Sequence, residues 1–138
     1  MSEGNQPISQ IVIYLNDETY RQNLISLINA SEFVDTKISL VQDVDSLKSK
    51  TTSREAALLF VDFNELDVDS DDLKQLIYNS NNAAILFVAS KYHPEKIVKA
   101  IENGAQDCLF LNGLTSRSLE AMCLAAISRL SFNQNQEK

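Results

Sequence analysis

The sequence predicts an α/β protein of the doubly wound kind, a three-layer sandwich with a parallel five-stranded sheet between two layers of helices. Three observations carry that expectation. Apolar runs alternate five times with segments whose apolar residues recur at helical spacing. The runs Ala56–Val61 and Ala83–Ala89 are apolar without a break, as strands covered on both faces are. A chain of 138 residues, 44% hydrophobic and 22% charged, is long enough for one such core. Strands joined by helices run parallel, and parallel sheets need both faces covered.

The elements follow in order. Residues 1–9 read as a disordered lead. Gln10–Leu15 is a short run with β-branched residues, hence a strand. Asn16 or Asp17 then caps a helix whose apolar positions are Tyr20, Leu24, Leu27 and Ile28, with Glu18 favourable in its first turn. Thr36–Val41 alternates polar and apolar residues, which suits an edge strand, and Asp43–Ser49 is a short, weak helix. Ala56–Val61 is the third strand. A third helix starts at Asp69 or Ser70, with Leu73, Leu76 and Ile77 on one side. The acidic cluster around it suits a helix first turn better than a calcium loop, whose glycine and closing glutamate are missing.

Ala83–Ala89 is the fourth strand. Pro94 suits the first turn of a helix with Ile97, Ala100 and Ile101 as its stripe and Gly104 as its cap. Cys108–Leu111 is the fifth strand. The last helix starts near Thr115 or Ser116 and presents Leu119, Met122, Cys123, Ala126, Ile127 and Leu130. Residues 10–131 therefore form one domain, and 132–138 read as a polar tail or the start of a linker.

Composition excludes several functions. A net charge of −7 with no Lys/Arg patch argues against nucleic-acid binding, which works by neutralising phosphates. The longest apolar run, Ala83–Ala89, is too short to cross a membrane, and the N-terminus lacks the pattern of a secretory signal. Cys108 and Cys123 lie in apolar patterns, as buried thiols of a reducing cytoplasm do. With only Gly4, Gly104 and Gly113, no glycine-rich phosphate loop can form.

Chemistry is expected at the carboxyl ends of the strands, where doubly wound sheets bind ligands. Asn16 and Asp17 follow the first strand there, and Asp62 ends the third. Two readings are open. Asn16 and Asp17 are helix-capping residues beside a solvated Asp62, or the three converge on a hard divalent cation with the Asn64 backbone carbonyl as a further ligand.

LNDE at Leu15–Glu18, LLFVDFNEL at Leu58–Leu66 and IENGAQDCLFLNG at Ile101–Gly113 resemble, in register, the receiver domains of bacterial two-component response regulators. The resemblance covers about residues 10–131. It implies a flavodoxin-like (βα)5 fold with strand order 2-1-3-4-5. It also implies phosphoryl transfer from a kinase phosphohistidine to Asp62, with Mg2+ held by Asp17, Asp62 and the Asn64 carbonyl. It implies no other enzymatic activity. The implied partners are a histidine kinase or another signalling protein, a second copy, or a C-terminal effector domain, in the cytoplasm. Their docking face is that of the fourth helix, fifth strand and last helix, with Lys96, Lys99, Arg117 and Glu120.

The chain departs from the family pattern where the switch should be. Asn16 stands where the family has a carboxylate, and can only weakly support a metal. Ala89, one residue before Ser90, replaces the Thr/Ser that binds the phosphoryl group. Leu111 replaces the lysine that pairs with it, and Cys108 replaces the switch aromatic. Loss of one charge-assisted contact costs about 1.5–3 kcal/mol. Together the losses come to about 3–4 kcal/mol, roughly 10²–10³-fold in phosphorylation or its readout. The expected protein is a degenerate pseudo-receiver acting by protein–protein contact; the alternatives are a working phospho-acceptor using Asp62 and Mg2+, or a flavin-binding domain.

Overall fold

The computed structural model describes residues 8–51, 57–62, 71, 74–75, 83–89, 94–102 and 108–136. Its elements are β1 (Gln10–Tyr14), α1 (Glu18–Asn29), β2 (Lys37–Leu40), α2 (Val44–Thr51), β3 (Ala57–Asp62), β4 (Ala83–Ala89), α3 (Pro94–Glu102), β5 (Cys108–Phe110) and α4 (Ser116–Gln136). Between β3 and β4, the described residues Asp71, Lys74 and Gln75 are helical. The capping role given to Gly104 lies outside the described residues.

All strand pairs are parallel, in the order β2-β1-β3-β4-β5. This is the flavodoxin-like order. Strand alternation sorts the side chains onto two faces. Ile11, Ile13, Leu15, Leu58, Phe60, Leu86, Val88 and Leu109 form one cluster with Leu24 and Ile28 of α1 and Leu119 and Cys123 of α4. Val12, Tyr14, Leu59, Val61 and Phe87 form the other, with Leu47 of α2 and Ala100 of α3. Two helical layers thus enclose the sheet.

Local chemistry sets the helix starts. Asp17 is the N-cap of α1, its Oδ1 accepting from the Tyr20 N–H at 3.1 Å. Asp43 Oδ1 accepts from the Ser46 N–H at 2.8 Å, and Thr115 Oγ1 from the Ser118 N–H at 3.1 Å. The turn from β5 into α4 passes through Gly113 at φ 77°, a conformation that costs glycine little.

Some expectations change. Ile8 is already buried, so the core begins before the first strand. α4 continues to Gln136, through most of the stretch that composition marks as a polar tail. Ile101 is 55% exposed and lies off the buried stripe of α3, which centres on Ala100.

Leu24, fully buried between α1 and the sheet, is expected to be costly to truncate. Leu24→Ala should lower the unfolding free energy by about 2–5 kcal/mol in a urea titration.

Candidate functional site

β1 and β3 are neighbours, paired from Gln10↔Ala57 to Tyr14↔Val61. One residue on, Leu15 comes beside Asp62, so the loop that begins with Asn16 and Asp17 starts at the tip next to Asp62. Asp62 is 3% exposed, one of the few buried polar residues among those described. It continues the alternation of Leu58 and Phe60, which places it on the α1/α4 side of the sheet. Asn16 and Asp17 are exposed. Asp17 carries the helix-capping role that was one of its two readings. Asn64 and Ser90 lie outside the described residues.

β4 and β5 carry the remaining positions. Asp62 pairs with Val88, Val88 with Leu109, and Ala89 with Phe110. Leu111 lies just past β5 and its N–H donates to the Ala89 carbonyl at 3.0 Å. It is 2% exposed and packs in the α1/α4 cluster, the face to which Asp62 belongs. Ala89 is buried in the opposite cluster, and Cys108 packs half-buried against that one too. The exposed aromatic of β5 is Phe110, two residues beyond the position where the family resemblance sought one.

One charged group at this edge escaped the sequence reading. Arg21 of α1 directs its guanidinium back along the helix, and Nη1 donates to the Leu15 carbonyl at 3.2 Å. Arg21 is half-buried. It precedes the two buried residues of α1, Leu24 and Ile28, at helical spacings, so it occupies the first turn of the inward stripe. An arginine at an inward position was the available signal, but a search for apolar periodicity passes over it.

The expected docking face is partly altered. Lys99 and Arg117 are exposed, whereas Lys96 and Glu120 are half-buried. Glu120 reaches across to α1's end, its Oε2 accepting from the Glu32 N–H at 2.7 Å. Exposed apolar side chains lie on the same three elements: Val98 and Ile101 on α3, Phe110 on β5 and Leu124 on α4.

Among the described residues, no three or more His, Cys, Asp or Glu side chains are grouped so as to hold a metal ion. None of the described helices is long and apolar enough to cross a membrane.

No family model and no curated protein matches the chain. Solved structures do. The signal receiver domain of a protein named as a Luxo repressor, from Vibrio parahaemolyticus, superposes with a TM-score of 0.71 at 13% identity, over 95% of this chain and 98% of that one. The fold is that of a response-regulator receiver domain. A second receiver-fold neighbour, a response regulator from Burkholderia pseudomallei with a phosphorylated aspartic acid, calcium ion and citrate, gives 0.63 at 17% identity, over 94% of this chain and 75% of that one. A third, from the same organism, is named for pilus assembly; it gives 0.68 at 12% identity, over 94% of this chain and 96% of that one. Identities this low speak for the receiver fold alone.

The thiols of this receiver fold differ in reach. Burial raises both, and burial with the nearby Glu120 carboxylate pushes Cys123 from 9.0 up to about 12. Between those values the unfolded chain has released the Cys123 proton and the folded chain has kept it. The unfolded state then binds fewer protons, so stability falls as pH rises through that window. Urea unfolding at a series of pH values should show this fall in the wild type and a shallower one in Cys123→Ala. A thiol-reactive probe on native protein should label Cys108 and leave Cys123 unmodified until urea is added.

Proposed function

We propose that this chain is a receiver-like module of two-component signalling whose phosphoryl switch is degenerate, and that it works by protein–protein contact. The observation that carries this reading is the burial of Leu111. The resemblance puts a lysine at that position to pair with an aspartyl phosphate. A leucine packed into the α1/α4 core, on Asp62's side of the sheet, offers a new phosphoryl dianion neither charge nor hydrogen bond. Ala89 offers no hydroxyl and is buried in the opposite cluster. A ligand without differential contacts shifts no equilibrium, so phosphate on Asp62 would have little to pull on.

The donor set also suits a divalent cation poorly. Asn16 is neutral, one oxygen of Asp17 is engaged by the Tyr20 N–H, and a guanidinium shares this edge. If Mg2+ binds at all, Asp17, Asp62 and the Asn64 carbonyl would hold it weakly, with Asn16 contributing least; its chemistry would be to neutralise the transferring phosphoryl group.

The output in this reading is docking through α3, β5 and α4, where exposed apolar and basic side chains meet. The partner is a histidine kinase or another signalling protein, a second copy of the chain, or an attached effector domain, in a bacterial cytoplasm. The net charge of −7 weighs against nucleic acid as a partner.

A working phospho-acceptor is the second reading, favoured by the buried carboxylate at the tip of β3. There an Asp62 oxygen would attack the donor phosphorus, forming a P–O bond as the donor's P–N bond breaks. Incubation with phosphoramidate and Mg2+, followed by intact-protein mass spectrometry, separates the two. No stoichiometric phosphoryl adduct is expected. A full adduct that Asp62→Ala abolishes would overturn the degenerate reading.

A further inference from the structure

We propose that the chain associates with further copies of itself head to tail, the β2 end of one molecule docking on the α3–β5 end of the next. The inference rests on the docking reading above and deepens it by naming the occupant of that face. Six large apolar side chains among the described residues are exposed. Val34 and Leu40, 50% and 52% exposed, lie on the turn before β2 and on β2 itself. Val98, Ile101, Phe110 and Leu124 lie on α3, β5 and α4. The order β2-β1-β3-β4-β5 sets β2 and β5 at opposite edges of the sheet, four strand spacings or about 19 Å apart. One molecule therefore cannot cover its own Leu40 with its own Phe110, whereas two molecules can.

Charge selects this pairing over the alternatives. Between Val34 and Asp45 the exposed charges are Asp35, Asp43 and Asp45 against Lys37, a net of −2. α3 and α4 together carry four basic and three acidic side chains, a net of +1 in a chain of net −7. One of those carboxylates, Glu120, is already engaged by the Glu32 N–H. An isologous pair through either end sets like charge against like. The unlike ends attract, and their apolar side chains are then buried together. Side chains make the contact, not strand pairing, because β2 and β5 span only 4 and 3 residues. A heterologous contact repeats, so copies add in sequence until a ring closes or an open chain grows.

Sedimentation velocity of the full chain, from micromolar to millimolar concentration, tests this. The weight-average mass is expected to rise with concentration and to fall again as NaCl is raised. Leu40→Lys and Ile101→Glu each put, at an exposed position, a charge that meets its like across the contact. Each variant alone should self-associate at least about tenfold more weakly than the wild type. Mixed in equal amounts, the two should restore a single contact and form a heterodimer of one each with the wild-type affinity. Leu40→Lys keeps its α3–β5 end for this, and Ile101→Glu its β2 end. A wild type that stays monomeric overturns the proposal, needs no variant to fold, and gives the face to a different protein. So does either variant self-associating like the wild type, as an isologous pair through its unaltered end would, or a mixture of the folded variants that stays monomeric. A phosphoryl adduct on a self-associating wild type would instead defeat the degenerate reading and leave the head-to-tail contact standing.

Discussion

The structure depends on covering a parallel sheet on both sides. β1, β3 and β4 are buried almost throughout, with apolar side chains alternating into two separate clusters. A polar side chain within those strands would enter one core or the other, at a cost of several kcal/mol if unpaired. The strand tips are where this constraint relaxes. Asp62 is the last residue of β3, and the polar run Asn16, Asp17, Glu18 follows β1 at once. Whatever chemistry the domain performs is concentrated at that edge by the need to keep the rest apolar.

The character of the edge is set by what borders it. Leu111 continues the apolar α1/α4 layer past the end of β5, on the face that holds Asp62's column of side chains, and Arg21 of α1 donates to the Leu15 carbonyl just past β1.

The layering was legible in the sequence because its cause is simple. Ala83–Ala89 has the same bounds in sequence and structure, since nothing polar interrupts it. The strand order came from the resemblance, and the observed sheet has that order. Other features were hidden for physical reasons. Periodicity marks apolar residues, so Arg21 on an inward turn went unnoticed. Ile101, one step round from Ala100, is rotated by about 100° from it and faces outward. The stretch 132–138 looked like a tail because it is polar, yet it contains neither Gly nor Pro to stop the helix.

The outermost strands are brief: β2 spans 4 residues and β5 only 3, against 7 in β4. A sheet that tapers in this way offers few unpaired backbone groups along its rims. Lys37 opens β2, an added deterrent to strand pairing between molecules. Self-association by extending the sheet is thereby discouraged, and the molecule should resist the aggregation to which long, flat rims are prone.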